Sequence, residues 1–202
     1  MTGIKEKWRM RAKHYTNKLL SAVNQPTTLD KLDSEVEISD IKYFDERIVE
    51  FWNRVKGNYD FIVERTREYL NLRYCDLRGG SYRVRLAADG EQVLGFSVLR
   101  VNRLKEYHEG YVVDFLALPE RLDVAWLLAD DAVAQLYEEG VNVARYQVIK
   151  GHPYEVIFKK QGFYKNKDIR QFSFKWMSET PDETMGLHPS RIHFVYGDIT
   201  GI

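Results

Sequence analysis

The sequence contains a single cysteine, Cys75, so no disulfide can form within the chain. It also lacks any apolar run near the ~20 residues that a membrane span needs, and residues 1–10 are too polar for a secretory signal. Net charge is missing too, because 30 Lys and Arg residues balance 30 Asp and Glu residues. These absences predict a soluble cytoplasmic protein with no membrane partner, and they disfavour nucleic acid as a partner.

The composition predicts one main folded domain. The chain has 202 residues, of which 44% are hydrophobic and 13% aromatic, enough for a sizeable core. We predict a basic segment and linker over residues 1–33 and a domain over residues 34–202. The segment over residues 5–20 is either an arm for an acidic partner, a solvated helix, or a remnant of a longer polypeptide. Its basic residues are Lys5, Lys7, Arg9, Arg11, Lys13 and Lys18.

A strand, a helix and a second strand between residues 110 and 149 organise the domain. Residues 111–118 form an apolar run broken only by Asp114, which is typical of a strand covered on both faces. Apolar residues then recur at helical spacing from Asp123 to Glu139, with Asp123 as the expected N-cap. Residues 142–149 are rich in β-formers, so a right-handed crossover should make the two strands parallel neighbours.

The remaining patterns predict a mixed order of elements around this unit. Alternation and helical spacing indicate strands and helices, and the pair Asp89–Gly90 suits a hairpin turn. We predict strands over residues 35–41, 82–88, 93–101, 171–176 and 192–196, and helices over 44–57, 63–74 and 153–162.

This order resembles the GNAT family of acetyl-CoA-dependent N-acetyltransferases over residues 34–202. The pair Gly162–Phe163 after a short helix is similar to the family's usual ending. Residues 69–74 and 113–119 resemble GNAT-like proteins in which this module is the second half of a tandem. The resemblance implies an α/β fold with a mixed, mostly antiparallel sheet, a central parallel strand pair and flanking helices.

The resemblance also implies acetyl-CoA, or another acyl-CoA, as co-substrate and no metal. Amides of the strand would polarise the thioester carbonyl, and a helix N-terminus would hold the pyrophosphate. The family's loop has Gln or Arg, then a Gly, then a Gly or Ala. Arg121 and Ala125 fit this pattern, but Val124 replaces the first Gly and Asp123 would repel a phosphate, so the loop is degenerate. The implied cofactor-binding residues are Leu116, Ala117, Leu118, Arg121, Val124, Ala125 and Phe158.

Asp114 and Tyr154 are the candidate catalytic residues. A carboxylate in an apolar strand needs a partner or a function, so Asp114 is either the base that deprotonates the amine or one half of an ion pair with an arginine on the adjacent strand, such as Arg100. The family places a tyrosine acid at the position of Phe158, which cannot donate a proton, and Tyr154 lies one turn earlier. The five histidines have no metal-ligand spacing, so we expect structural or surface roles for them.

Three functions remain open at this point. The first is acyl-CoA-dependent N-acyl transfer to a primary amine on a small molecule or peptide, by a chain that could form a homodimer. The alternative is a non-catalytic GNAT-fold binding or structural module, such as the pseudo-catalytic half of a larger acyltransferase. The third and weakest is nucleic-acid binding through the basic segment.

Overall fold

A computed structural model describes residues 36–165 and 188–199 of the chain. Its strands and helices follow the order expected from the sequence. The strands are β1 (Val36–Ile41), β2 (Phe61–Ile62), β3 (Arg83–Asp89), β4 (Gln92–Arg103), β5 (His108–Ala117), β6 (Val143–Tyr146) and β7 (Ile192–His193). The helices are α1 (Arg47–Val55), α2 (Arg67–Leu70), α3 (Leu122–Glu138) and α4 (Pro153–Lys160).

Five of these strands form one sheet in the order β1-β3-β4-β5-β6. The first four are antiparallel neighbours, while β5 and β6 run parallel, as a crossover through α3 requires. The predicted mixed sheet with a parallel pair is therefore confirmed. The strands β2 and β7 form a separate parallel pair that the sequence did not predict.

The core lies on both faces of this sheet. One face of α3 is buried through Val124, Ala125, Leu128, Ala129, Ala132 and Leu136, which are the positions that helical spacing selects. On α1, Ile48, Phe51, Trp52 and Val55 are buried. Phe96 of β4 makes edge contacts with Phe44 and Phe51, at ring centroid distances of 5.4 and 6.0 Å.

Several predicted boundaries were wrong. Helix α2 begins at Arg67 rather than residue 63, because the side chain of Thr66 caps it by accepting from the Tyr69 amide. It continues into a wider helical turn over Asn71–Cys75. The last strand ends at His193 and is followed by a short 3₁₀ turn over Tyr196–Asp198. The predicted basic segment and the strand over 171–176 lie outside the described residues.

The expected N-cap of α3 also needs correction. The helix starts at Leu122 with Arg121 in the cap position, where no side chain caps it. Asp123 lies inside the first turn and pairs with Arg121 instead. At the other end, Gly140 follows the helix with a φ of 70°, a conformation that glycine adopts readily at a helix C-terminus.

Two features of β5 set up the candidate site. A bulge between β4 and β5 places Val98 opposite Asp114 and Leu99 opposite Val112, so Val113 is the extra residue. Pairing with β6 runs from Glu109 only as far as Val112, whereas β5 continues to Ala117. The two parallel strands therefore part after Val112.

Candidate functional site where β5 and β6 part

β5 and β6 separate after Val112, and we call the gap between them the parting. Main-chain groups of β5 that could bind a neighbouring strand face this gap. Ala117 lies opposite Gly95 of β4, but its N–H and C=O point away from β4 into the parting. Both groups meet the hydroxyl of Tyr154. That oxygen accepts from the Ala117 amide at 2.9 Å and donates to the Ala117 carbonyl at 3.3 Å. One tyrosine thus satisfies both groups of the strand edge.

The other predicted amides are also accounted for. The Leu118 amide donates to the Leu94 carbonyl at 2.9 Å, and Leu116 is paired opposite Phe96 in the ladder with β4. The amides that were expected to polarise a thioester carbonyl at Ala117 and Leu118 are therefore already bound within the protein.

Aromatic rings fill the parting beside Tyr154. Phe115 makes edge contacts with Tyr154 at 4.9 Å and with Phe158 at 5.0 Å between ring centroids. Tyr146, the last residue of β6, stacks on Phe158 at 3.8 Å. Phe158 therefore occupies the site that the resemblance assigned to a proton donor, but it acts in ring packing.

Asp114 is fully buried and held by groups from three other elements. The Tyr74 hydroxyl donates to Oδ2 at 2.8 Å, and Nε of Arg65 donates to the same oxygen at 3.2 Å. The Phe115 amide donates to Oδ1 at 2.9 Å, and Nε2 of His193 lies 3.8 Å from that oxygen. The predicted ion pair of Asp114 is therefore present, but its partner is Arg65, from the segment before α2, and not an arginine of the adjacent strand such as Arg100.

This environment keeps Asp114 ionised. Burial alone would raise the pKa of its carboxyl, but the charge of Arg65, with smaller contributions from His193 and Tyr74, outweighs burial and lowers that pKa to about 2. A carboxylate with so low a pKa and no exposed surface is a weak base for an amine proton.

Arg65 joins Asp114 to a second buried carboxylate near the end of the chain. Its Nη2 lies 2.6 Å from Oδ1 of Asp198, and both side chains are almost completely buried. The other carboxylate oxygen of Asp198 accepts from the Val195 amide at 2.9 Å. Burial, only partly offset by Arg65, raises the pKa of Asp198. The guanidinium therefore ties β5 to the segment that follows β7.

The start of α3, where a pyrophosphate was expected, is occupied by a local ion pair. Arg121 Nη2 donates to Oδ2 of Asp123 at 2.8 Å, and this contact lowers the pKa of the Asp123 carboxyl. Val124 and Ala125 are fully buried, and the Ala125 amide donates to the Arg121 carbonyl at 3.2 Å. The predicted phosphate-binding residues are thus adjacent in space but engaged with one another.

Two histidines line the parting, which sequence spacing did not predict. Nδ1 of His152 caps α4 by accepting from the Tyr154 amide at 3.2 Å. Burial, and to a lesser extent His193, lowers the pKa of His152 to about 3, so its ring is neutral with the proton on Nε2. That nitrogen is buried and has no hydrogen-bond partner within the described residues, and the same holds for Nε2 of His193 and the Tyr146 hydroxyl.

Most of the sequence-predicted site residues lie close together in the structure. Their contacts are core packing and hydrogen bonds within the protein. Asp114, Tyr154, Ala117 and Phe158 border the parting, while Arg121, Val124 and Ala125 begin α3. Among the described residues, no group of three His, Cys, Asp or Glu side chains could hold a metal, and no helix is long and apolar enough to cross a bilayer. The roles first given to these residues stay predictions.

Arg65, Tyr74, His193 and Asp198 complete the site and were not predicted as members of it. They come from two stretches of the chain, residues 65–74 and 193–198, and neither spacing nor periodicity links them to Asp114. The one available signal was the buried carboxylate itself, which required a cation from some other element.

Several solved structures of acetyltransferases are similar in fold to this chain. An aminoglycoside acetyltransferase from an uncultured soil metagenomic sample, in complex with sisomicin, gives a TM-score of 0.51 at 14% identity, covering 72% of this chain and 99% of that chain. A probable acetyltransferase gives 0.52 at 18% identity, covering 71% and 99%.

A third similar structure carries the family name. The GCN5-related glucosamine N-acetyltransferase region of a fungal multi-domain β-N-acetylglucosaminidase gives a TM-score of 0.51 at 16% identity, covering 68% of this chain and 18% of that chain. No protein-family model and no curated protein matches the sequence. The likenesses show that the chain has the GNAT fold, which confirms the fold predicted from the sequence.

Proposed function

We propose that residues 34–202 form a GNAT-fold binding or structural module that does not hold acyl-CoA between β5 and β6, such as the pseudo-catalytic half of a larger acyltransferase. One observation carries the proposal. The N–H and C=O of Ala117, which a ligand in the parting would need, are both bound by the Tyr154 hydroxyl.

The state of Asp114 supports the same conclusion. Its two oxygens are engaged by Arg65, Tyr74 and the Phe115 amide, and the side chain has no exposed surface. An incoming amine would have to displace a buried cation to reach it. Removing one partner from a buried ion pair costs several kcal/mol, typically ~3–5, which is a large share of a domain's stability.

The start of α3 gives further support. A helix N-terminus attracts phosphate through free amides and its positive dipole end. Here a carboxylate is in the first turn, and it already neutralises Arg121. Because Asp123 is negative and Arg121 is paired, this end of the helix offers little net attraction for a pyrophosphate.

Isothermal titration calorimetry of the full chain with acetyl-CoA tests the proposal. We expect no binding heat and no thermal shift up to millimolar acetyl-CoA, and no release of free thiol with primary amines as acceptors. Saturable binding of acetyl-CoA, with or without turnover, would overturn the proposal. A longer acyl-CoA should be titrated in parallel, so that a pocket selective for another acyl chain is not missed.

Acyl-CoA-dependent N-acyl transfer is the second candidate, and the parting of β5 and β6 favours it. The similar solved structures include an aminoglycoside acetyltransferase and a glucosamine N-acetyltransferase region, so a small-molecule amine, or a peptide amine, would be the acceptor. In this reading Asp114 assists deprotonation and Tyr154 protonates the departing thiolate. Asp114→Asn would then lower turnover while acetyl-CoA affinity stays unchanged.

A further inference from the structure

We propose that Tyr154 acts as an internal ligand of β5. Its hydroxyl binds Ala117 where an extended amide chain would otherwise bind, and it thereby keeps such chains out of the parting. The inference rests on the proposed function, because both concern the parting. One side chain, Tyr154, closes the parting to a single class of molecule.

The Tyr154 hydroxyl binds Ala117 in the geometry of a neighbouring strand. In a sheet, the N–H and C=O of one residue point to the same side and are bound by the main chain of a neighbouring strand. Within the described residues no strand pairs with Ala117 on that side, because β6 pairs with β5 only as far as Val112. The Tyr154 hydroxyl supplies the acceptor at 2.9 Å and the donor at 3.3 Å. It therefore reproduces what an added strand or amide chain would provide.

The ring of Tyr154 fills the space beside Ala117. Tyr154 is buried, and its ring packs edge-on against Phe115 at 4.9 Å and against His152 at 4.5 Å between centroids. The His193 ring lies 6.2 Å away on another side. Truncation of Tyr154 would leave a cavity directly beside the freed main-chain groups of Ala117, and interiors collapse only partly around such cavities.

The space that Tyr154 fills is bordered by a histidine with an unpaired ring nitrogen. Nε2 of His152 is buried without a hydrogen-bond partner in the described part of the chain, whereas Nε2 of His193 faces Oδ1 of Asp114 at 3.8 Å. The Nε2 of His152 carries a proton, because its Nδ1 accepts from the Tyr154 amide. A buried donor without a partner is costly, and an amide carbonyl that reached His152 through the opened space would satisfy it.

Together these observations define the excluded class as an extended chain with secondary amides. A peptide segment and the pantetheine arm of CoA share this chemistry. The aromatic walls favour a chain with apolar links between its amides. The main chain at Ala117 can hydrogen-bond only the N–H and C=O groups of such a chain.

The test compares wild type with Tyr154→Ala and Tyr154→Leu in the full chain. Each protein is titrated with CoA, with pantetheine and with a blocked tri-alanine peptide, and the Ala117 amide is followed by ¹⁵N NMR. Tyr154→Leu keeps an apolar side chain against Phe115, so it guards against a loss of folding in Tyr154→Ala. Phe158→Ala is the matched control, since it opens an aromatic site without freeing Ala117.

We expect both Tyr154 variants to bind at least one of these probes about tenfold or more tighter than wild type, with a shift of the Ala117 resonance. Binding of CoA and pantetheine identifies the pantetheine arm as the excluded ligand, and binding of the peptide identifies a main chain. Folded variants that gain no affinity would overturn the inference, as would an equal gain in Phe158→Ala. Wild-type acetyl-CoA binding, with or without turnover, would instead overturn the proposed function.

Discussion

The Tyr74 hydroxyl donates a 2.8 Å hydrogen bond to Oδ2 of Asp114, and both side chains are buried. Tyr74 comes from the turn after α2 and Asp114 from the middle of β5. The same carboxylate binds Arg65, which in turn reaches Asp198. A single residue of the central strand therefore anchors two peripheral segments.

We predict that Asp114→Asn destabilises the domain by about 3–5 kcal/mol, because the substitution leaves Arg65 buried with only Asp198 as a counter-charge. Urea denaturation of wild type and variant measures the difference. Glu120→Gln is the control, since Glu120 pairs with Arg54 at the surface and should cost less than about 1 kcal/mol. Equal effects of the two substitutions would show that the buried network contributes no more than a surface pair.

Acid should destabilise the domain through His152. Its pKa is lowered from 6.5 to about 3 in the folded state, so between these values the unfolded chain binds a proton that the folded chain does not. Stability therefore rises with pH across this window and falls as the solution is acidified from pH 6.5 towards 3. Burial also lowers the pKa of the neighbouring His193, which acts in the same direction.

Asp114 extends this trend to lower pH. Its folded-state pKa of about 2 lies below the ordinary value of 3.8, so the stability that its ionised form provides is lost as the pH falls from 3.8 towards 2. The raised pKa of Asp198 acts in the opposite direction above pH 3.8, where the folded chain binds the extra proton, so it offsets part of the histidine effect and not the loss caused by Asp114.

The variant His152→Asn isolates the histidine contribution, because asparagine can still cap α4 but does not titrate. The slope of unfolding free energy against pH near pH 5 should fall by about 1.4 kcal/mol per pH unit relative to wild type. His152→Ala should show the same change in slope together with a further loss of about 1 kcal/mol for the missing cap. Unchanged slopes would mean that His152 is protonated in the folded protein as well.

The main architecture could be predicted from the sequence because its signals are local. Helical spacing of apolar residues placed α3, an almost unbroken apolar run placed β5, and together they fixed the parallel neighbour β6. A buried carboxylate in such a run also signalled that Asp114 must have a partner.

The site could not be completed in the same way. Arg65 and Asp198 reach Asp114 only through tertiary packing, and arginine and aspartate are too common at the surface for their burial to be recognised from spacing. The direction of Tyr154 depends on the rotation of α4 about its axis, which the parting of β5 and β6 and the packing against Phe115 decide. Sequence patterns carry no information about that rotation.

A substitution at Gly197 should disturb the Asp114 network from outside. A Cβ at this position would overlap the Tyr74 hydroxyl and lie 3.3 Å from the Val113 carbonyl. We predict that Gly197→Ala costs about 1–3 kcal/mol, since the tyrosine must move away from Asp114. Gly57→Ala is the matched control, because nothing lies within 4 Å of its Cβ. A change of similar size in both variants would point to an unfolded-state effect of glycine replacement rather than to a clash.

The aromatic cluster in the parting should contribute as a core and not as a ligand-binding wall. Phe158 is buried, stacks on Tyr146 and makes edge contacts with Phe115 and Phe163. Phe158→Ala should therefore lower the free energy of unfolding by about 3–5 kcal/mol, as truncation of a buried phenylalanine does elsewhere. Tyr164→Ala removes an aromatic ring of similar size that is 85% exposed, and it should change stability by less than about 0.5 kcal/mol. Thermal and urea unfolding of both variants would separate the two cases. If Phe158→Ala were as stable as wild type, the rings would be held loosely, and the parting would be open enough to admit a ligand without removal of Tyr154.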